Sequence, residues 1–454
     1  MVPIRTLLSG LLGAAALLVP VHPSTAAEDG RTVEYRGMRV AVPGEWRIVD
    51  LERDPGACLR LDLPTLYLGH AGTQGECSGR AVRRRADTLH LEPLDGAPAR
   101  ADIPTLRVDG PGGIPEAAEA AGGSREVRYA LRAAGVMATV SYGGASDAVR
   151  DVLARAAAGG GAPGRSGSRS LPAEPASAVA GPKPVRAQQP LTGAGFDTCT
   201  APAQDAMDKW RGASPFGAVG VYIGGRARAC AQPRLTADWV RRQAGAGWHL
   251  MPLWVGPQPW NNPATGLSTD PSRANQEGFE AAEGAVGAAR SLGLAEGAVL
   301  YNDLENYTDR TTWDPPVVAY LTAWTVRLHE LGYRAGAYVA ASSGAKALNE
   351  HHDQAPEAMP DVLWVASWNG KASVADTDTG LPAGTHRWAG RRRAHQYRGD
   401  HDATYAGVTI NIDRSWVDVD PETLGGPAPL SGPAPLRGSA PLGGPARARR
   451  PLFS

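Results

Sequence analysis

The sequence has no excess of charge of either sign, because 46 Lys and Arg residues balance 46 Asp and Glu residues. This balance, with a pI near 7.2, excludes the chain-wide basic field that a nucleic-acid-binding protein uses, so we expect no nucleic-acid partner. Beyond the first 27 residues, no uninterrupted apolar run approaches the roughly 18 residues that a membrane helix needs. We therefore expect no transmembrane segment in the mature chain.

Several motifs that mark common enzymes are also missing from the sequence. It contains no G-x-S-x-G, which excludes the usual serine-hydrolase nucleophile, and neither a P-loop nor H-E-x-x-H. No two cysteines form the C-x-x-C pair that a four-cysteine zinc site requires. The prediction is a protein that needs neither a bound metal nor another cofactor.

Only four cysteines occur, and an even number in an exported chain indicates disulfides. Four cysteines allow three pairings. A glycine-rich linker separates the first two cysteines from the last two, which favours local pairing. The two predicted bonds are Cys58–Cys77 and Cys199–Cys230.

The first 27 residues have the pattern of a secretory signal peptide. A single cation, Arg5, precedes an apolar run over residues 7–19, and small residues follow up to Ala26 and Ala27. The alternative is a membrane anchor, but the run is short and Pro20 ends it. We expect cleavage near Ala26 or Ala27 and export of the mature protein.

The composition of the remaining chain changes three times, which divides it into four parts. Gly and Pro together make up about a fifth of all residues, and they concentrate in two segments that cannot bury enough apolar surface to fold. The predicted parts are a small α+β domain (28–155), a flexible linker (156–193), a barrel (194–420) and a disordered Pro/Ala/Gly/Leu-rich tail (421–454). We expect residues 194–420 to fold alone.

The small domain carries no recognisable catalytic motif. Its apolar runs predict strands over 32–42, 59–68 and 136–142, and a helix over 145–157. The basic run from Arg83 to Arg85 is interpreted as a solvated surface rather than as a polyanion site.

Residues 194–420 alternate short apolar runs with helical patterns. The clearest helix covers 315–331, with Asp314 as its predicted cap, Pro315 in its first turn and Gly332 at its end. The predicted strands are 194–198, 219–224, 250–255, 299–305, 335–340, 362–368, 394–397 and 408–413. The predicted fold class is therefore α/β: a closed parallel TIM-type (β/α)8-like barrel preceded by a small α+β domain, with the site at the carboxyl ends of the strands.

Four carboxylates lie at or near the ends of predicted barrel strands. Asp303 and Glu305 are two residues apart, so they share one face of the fourth strand. Asp197 ends the first strand and Asp413 the eighth, and these strands are neighbours in a closed barrel. Such a cluster can hold one carboxyl protonated beside an ionised one, which glycoside hydrolysis requires. A turn or capping role for each Asp and a Ca²⁺ or Mg²⁺ site are the alternatives.

Aromatic and amide side chains recur near the same strand ends. Aromatic rings can pack on the C–H faces of sugars, although core packing is the alternative for each of them. Amides can bind hydroxyl or acetamido groups. The candidate substrate-binding residues are Tyr222, Trp254, Gln258, Tyr301, Trp368, Gln396 and Tyr397.

These motifs give residues 194–420 a family resemblance. The matching stretches are GFDTC (195–199), AVGVYIGG (218–225), LWVGPQ (253–258), YNDLE (301–305), HQY (395–397) and INID (410–413). The segment resembles the secreted glycoside-hydrolase-like barrel domain of unknown function from high-GC Gram-positive bacteria, a distant relative of the family 25 lysozymes. Residues 28–155 lie outside the resemblance.

The resemblance implies a role for each carboxylate. Glu305 would be the proton donor, and Asp303 would orient or stabilise a substrate-assisted N-acetyl intermediate or activate water. Asp197 and Asp413 would line the catalytic pocket.

The functional prediction is a secreted, lysozyme-like glycosidase that acts on peptidoglycan or a related cell-wall glycan. We expect it outside the cell or associated with the wall, with the glycan as its partner. The alternative is a non-catalytic wall-binding protein built on the same barrel. A third hypothesis is an interaction protein whose small domain carries the function. The sequence sets no oligomeric state.

Overall fold

The computed structural model describes residues 31–77, 85–97, 100, 103–109, 114, 125–143, 148–159 and 182–424. The predicted signal peptide, residues 160–181 of the predicted linker and residues 425–454 of the predicted tail lie outside the described residues. Among the helices of the described ranges, none has the length and apolar content to cross a membrane.

The amino-terminal part forms a two-stranded hairpin, β1–β2, and a six-stranded mixed sheet in the order β3-β4-β5-β8-β7-β6. Helix α1 (Ala148–Gly159) packs against β2, β5 and β8. The strands are β1 (Arg31–Tyr35), β2 (Met38–Val42), β3 (Arg47–Asp50), β4 (Thr65–Leu68), β5 (Thr88–Pro93), β6 (Thr105–Val108), β7 (Glu126–Leu131) and β8 (Val136–Ser141). This is the small α+β domain that the sequence predicts, with its own apolar core.

Two of its predicted strands differ from the structure. The run 32–42 is divided into β1 and β2 by a turn at Arg36 and Gly37. Within 59–68 only the last four residues form a strand of the sheet. Residues 59–61 instead bond to the carboxy-terminal unit, since Leu61 N donates to Ala229 O at 3.0 Å.

The carboxy-terminal unit is a closed eight-stranded barrel in the order β10-β11-β12-β13-β14-β15-β16-β9, which confirms the predicted fold class. Each predicted strand corresponds to one observed strand. These are β9 (Leu191–Asp197), β10 (Phe216–Gly224), β11 (His249–Trp254), β12 (Val299–Leu304), β13 (Arg334–Ala340), β14 (Val362–Ala366), β15 (Arg392–Tyr405) and β16 (Val408–Val419). β11 and β12 are buried along their whole length because helices cover the outside and side chains fill the inside.

The prediction of an all-parallel barrel is wrong for the last strand. β16 runs antiparallel to both β15 and β9, because β15 and β16 form one long hairpin. No helix lies between β14 and β15, although residues 367–391 are all described. The barrel helices are α2 (Gln204–Ala213), α3 (Ala237–Gly245), α4 (Pro271–Ser291), α5 (Arg310–Glu330) and α6 (Gly344–His351).

Helix α5 is longer at its start than the predicted helix 315–331. The cap is Asp309, whose carboxylate accepts from Thr312 N at 3.1 Å, so the predicted cap Asp314 is wrong. Asp314 lies inside the helix and accepts from Tyr307 Oη at 2.7 Å. Pro315 also lies inside the helix rather than in its first turn. The end is as predicted, with Gly332 at a φ of 84°.

Alternate side chains of β12 point to opposite faces of the strand and enter two different apolar layers. Leu304 points outward into the layer between strands and helices. Tyr301 points into the barrel, where its ring meets Trp364 edge-on with centroids 5.6 Å apart. Asp303 lies on the same face as Tyr301 and nearer the carboxyl end of the strand. The interior aromatic layer therefore forms the floor beneath the carboxylates.

The predicted linker 156–193 contains ordered structure at both ends. Helix α1 continues to Gly159. Near the other end, Gln188 closes the bottom of the barrel by donating to Leu250 O and Val299 O, both at 2.9 Å, and by accepting from Val299 N at 2.7 Å. Ala187 is buried in the same unit. The barrel thus includes residues before position 194.

A barrel fragment that begins at residue 182 should melt about 5–10 °C above one that begins at residue 194. The shorter fragment loses the Gln188 hydrogen bonds and the first three residues of β9, which pair with the end of β16. Calorimetry on both purified fragments measures the difference. Equal melting temperatures would show that residues 182–193 add nothing to the barrel.

Both predicted disulfides are confirmed, as Cys58–Cys77 in the small domain and Cys199–Cys230 in the barrel. No free cysteine remains in the chain. The second bond joins the loop after β9 to the loop after β10. The two bonds are packed in one apolar cluster, so they lie together where the small domain meets the barrel.

Arg85 corrects the prediction that the basic run Arg83–Arg85 is a solvated surface. It is buried between the two units, where its guanidinium lies 3.4 Å from Glu126 and donates to Gly225 O at 3.3 Å. Glu126 also binds Arg228 of the barrel. Burial lowers the pKa of Arg85 to about 10, and the attraction of Glu126 opposes that shift. Arg83 lies outside the described residues.

Candidate active site

The structure brings the four predicted carboxylates together at the carboxyl end of the barrel strands. Asp197 ends β9 and is the direct register partner of Asp413 on β16. Asp303 is the penultimate residue of β12, and Glu305 follows that strand on the same face. Asp197 and Asp303 are buried, whereas Glu305 and Asp413 are half-buried and reach the opening. Asp413 lies in the middle of its strand rather than at the predicted end, because β16 continues to Val419.

Gln396 on β15 connects two of these carboxylates. Its amide Nε2 donates to Asp197 Oδ2 at 3.0 Å and to Asp413 Oδ2 at 3.3 Å. Its Oε1 accepts from Tyr338 Oη at 3.0 Å and from Trp368 Nε1 at 2.8 Å. Because the whole amide is used in this way, Gln396 holds the carboxylates rather than presenting a free amide to a ligand.

Gln258 holds the backbone of the other carboxylate pair. Its Nε2 donates to Asp303 O at 2.7 Å and its Oε1 accepts from Glu305 N at 2.8 Å. The side chain is fully buried. It therefore bonds to the end of β12 as a neighbouring strand would, which fixes where Asp303 and Glu305 point.

Two of the predicted aromatic contacts are buried in the core. Tyr301 is inaccessible to solvent beneath the carboxylates. Trp254 is also buried, and its ring lies against Gly224. Tyr222 lies at the site, where its hydroxyl bonds to Asp197. Packing is thus the role of Tyr301 and Trp254 in this structure.

Trp368 is the exposed aromatic residue of the opening, with 57% of its surface accessible. Its indole N–H is held by Gln396, and its ring lies so close to Gly399 that a β-carbon there would collide with it. One ring face is therefore supported by backbone while the residue stays open to solvent. Tyr397 is half-buried, with its ring against His395 at a centroid distance of 6.2 Å.

Burial is the main cause of the altered acidity of the site. It raises the pKa of Glu305 to about 7, and repulsion from Asp413 adds to the shift. The pKa values of Asp303 and Asp197 are raised by burial and then by neighbouring carboxylates. Within the described ranges, no cation lowers the pKa of Asp197, Asp303 or Glu305 to offset this effect.

Tyr338 belongs to the site although no sequence motif marks it. It is the register partner of Asp303 on β13, and its hydroxyl donates to Gln396. The carboxylates raise its pKa further after burial, so it stays a neutral donor. The sequence signal that indicates a place at the site is its position near the carboxyl end of the predicted strand 335–340.

The chemistry of the site is that of a proton donor among acidic groups. In the part of the chain that the structure describes, no group of three or more His, Cys, Asp or Glu side chains could hold a metal ion. Glu305 titrates near neutrality beside carboxylates that receive hydrogen bonds, so one group can donate a proton while another carries negative charge.

Comparison with known families gives a match over most of the barrel. Residues 208–417 match the family described as the Rv2525c-like, glycoside hydrolase-like domain. This segment contains three of the four carboxylates, and Asp197 lies just before it. A search of the curated proteins found no match for this chain.

Several solved structures are similar to about half of the chain. An uncharacterized B. stearothermophilus protein is 20% identical, with 50% of this chain and 95% of that chain covered and a TM-score of 0.33. The Mycobacterium tuberculosis Tat-secreted protein Rv2525c is 14% identical, with coverages of 50% and 96% and a TM-score of 0.35. The catalytic domain of endolysin ply40 from bacteriophage P40 of Listeria monocytogenes is 15% identical, with coverages of 52% and 97% and a TM-score of 0.32.

Proposed function

Since residues 208–417 belong to the Rv2525c-like glycoside hydrolase-like domain family, we propose that this chain is a glycosidase that cleaves peptidoglycan or a related cell-wall glycan. The observation that carries the proposal is Glu305, a half-buried carboxyl at the barrel opening whose pKa is raised to about 7. A carboxyl with this pKa is partly protonated at neutral pH and can protonate the oxygen of a glycosidic bond.

Glu305 is the general acid in this mechanism. Gln258 fixes its backbone, so the carboxyl is held over the opening before substrate binds. Proton transfer leaves Glu305 ionised, and the carboxylates around it favour its reprotonation after the bond is broken. The rate should fall as the pH rises through about 7, because the donor is then ionised in the free enzyme.

Asp303 steadies the positive charge that develops on the sugar, or orients the N-acetyl group that attacks in a substrate-assisted reaction. Its Oδ1 is buried and has no hydrogen-bond partner in the structure, so a substrate group that reaches it would pair with an unsatisfied acceptor. Asp197 and Asp413 share the Gln396 amide and shape the pocket beside it.

Trp368→Ala should weaken glycan affinity by about 5–10-fold, because the exposed indole is the sugar platform of the opening. The melting temperature should change little, since the ring is mostly outside the core. Calorimetric titration with chito-oligosaccharides measures the affinity. Leu63→Ala, at another exposed apolar residue on the small domain, is the matched control. Unchanged affinity in the Trp368 variant would place the sugar elsewhere.

We also propose that the protein acts outside the cytoplasm, in the cell wall or beyond it. The two disulfides support this, because such bonds persist in oxidising compartments. A wall glycan is the substrate that such a location offers to a glycoside hydrolase-like barrel.

The decisive experiment is incubation of the purified protein with a panel of wall glycans, followed by measurement of new reducing ends. We expect release from at least one N-acetylated glycan, with a rate that declines above about pH 7. Glycan binding without any release of reducing ends would replace the enzyme by a wall-binding protein. If the protein neither binds a glycan nor releases reducing ends, both functions are rejected.

A further inference from the structure

The small domain is attached at the same end of the barrel as the carboxylates. Residues 59–61 bond to the loop after β10, with Ala231 N donating to Leu59 O at 3.0 Å. On another side of the opening, Asn411 N in the β15–β16 hairpin donates to Gly75 O at 2.7 Å. Both barrel segments lie beyond the carboxyl ends of parallel strands. The small domain therefore borders the opening of the barrel.

A cavity of about 800 Å³ lies between this domain and the barrel. Its lining includes Asp151 and Arg155 on the exposed side of α1 and the turn that contains Trp46. From the barrel, the loop after β11 contributes Asn262 and Pro263. The volume lies within the range of roughly 300–1,000 Å³ that ligand sites occupy.

The same barrel loop leads from the cavity to the carboxylates. Residues 258–266 form a closed loop, because Gln258 N donates to Thr265 O at 2.8 Å and Leu267 N donates to Gln258 O at 2.7 Å. At the base of the loop, Gln258 holds the backbone of Asp303 and Glu305. At its tip, Asn262 lines the cavity. One hydrogen-bonded loop thus joins the two places.

The lining chemistry suits a neutral polar ligand with apolar faces. Apolar surface comes from prolines and the Trp46 region, and hydrogen-bonding groups come from Asn262, Asp151 and Arg155. Three carboxylates, from Glu45, Asp87 and Asp151, outnumber the two guanidinium groups of Arg85 and Arg155 in this lining. This balance disfavours a polyanion such as teichoic acid. Sugars with hydroxyl and acetamido groups have this combination of apolar faces and neutral polar groups.

We propose that this cavity is a second glycan-binding site, which holds another part of the polymer cleaved at the barrel opening. This inference rests on the proposed function, and it gives the small domain a role in selecting long wall glycans. Most of the lining belongs to the small domain, and residues 262–264 of the barrel complete it, so the complete site exists only when the two domains are docked.

The test uses the full mature chain carrying Glu305→Gln, so that the glycan is not consumed. Asp151→Ala combined with Arg155→Ala removes two exposed polar groups, and Ala264→Trp places bulk at the cavity wall. Glu34→Ala combined with Arg39→Ala is the matched control, since it removes an exposed ion pair that does not line the cavity. Cosedimentation with peptidoglycan freed of protein and teichoic acid gives the affinity, and thermal melts check folding.

Both cavity variants should bind peptidoglycan about tenfold more weakly, whereas the control pair should bind as the parent does. Wild-type affinity in both folded cavity variants would overturn the second site and leave the hydrolase proposal intact. A parent protein that binds no peptidoglycan, with wild type releasing no reducing ends, would reject both. Binding of isolated teichoic acid that the cavity variants abolish would overturn the neutral-glycan assignment.

Discussion

Glu305→Gln is expected to lower the rate of glycan cleavage by about 10²–10⁴-fold while changing glycan affinity by less than about twofold. The amide keeps the shape of the side chain and a hydrogen-bond donor but has no transferable proton. The backbone contact with Gln258 is preserved, because it involves the main-chain N–H of residue 305. The loss therefore belongs to the chemical step.

The same variant should be more stable than wild type at high pH. In the folded protein the pKa of Glu305 is raised to about 7, so ionisation of this carboxyl opposes folding. Its contribution to wild-type stability is complete below the ordinary glutamate pKa of about 4.3 and is lost as the pH rises through about 7. The glutamine escapes that loss, which gives an advantage of about 1–3 kcal/mol at pH 8 and little at pH 4.

Three measurements on the same proteins check this pair of effects: reducing-end release, calorimetric titration with a chito-oligosaccharide, and thermal melts from pH 4 to 8. Glu296→Gln is the matched control, because that carboxylate is 70% exposed and lies outside the site. It should leave all three measurements unchanged. Retained turnover in Glu305→Gln would assign the proton donor to another residue.

The strands of the barrel could be predicted from the sequence because each is a short apolar run between turn or helix signals. Burial on both faces produces such runs, as in β11 and β12. The reversal of β16 could not be predicted in this way. The apolar pattern of a strand is the same in either direction, and only the β15–β16 hairpin fixes the direction.

The carboxylates could be selected from the sequence because period-two spacing places Asp303 and Glu305 on one face, and strand order brings Asp197 next to Asp413. The roles of the two glutamines could not be predicted from the sequence. Gln258 and Gln396 were expected to contact a ligand. Instead, Gln258 bonds to the backbone of Asp303, and Gln396 bonds to the carboxylate of Asp197. Such bonds join residues that are 45 and 199 positions apart, which no local pattern records.

The aromatic residues show a similar limit. Alternation indicates which face of a strand a ring occupies, but it does not give the height of the ring within the barrel. Tyr301 and Asp303 lie two residues apart on the same face of β12. Tyr301 nevertheless belongs to the buried interior layer, whereas Asp303 belongs to the site. Trp368 is exposed because β14 ends at Ala366, before it.

Glu126→Gln should destabilise the protein by about 3–5 kcal/mol, because it leaves two buried guanidinium groups without their shared counter-ion. Glu126, Arg85 and Arg228 are each about 2% exposed. Removing the carboxylate keeps the cost of burying both cations and deletes the attraction that offsets it. Since Arg85 belongs to the small domain and Arg228 to the barrel, the loss should weaken the docking of the two units.

Urea unfolding followed by tryptophan fluorescence measures this cost, since 11 of the 12 tryptophans lie in residues 194–420 and report on the barrel. Glu34→Gln is the control: it breaks an ion pair whose side chains are 73% exposed and should cost less than about 0.5 kcal/mol. A similarly small cost for Glu126→Gln would mean that solvent reaches both arginines and that the contact between the domains is open. A large cost, accompanied by weaker peptidoglycan binding in the Glu305→Gln background, would tie the second glycan site to the docked arrangement.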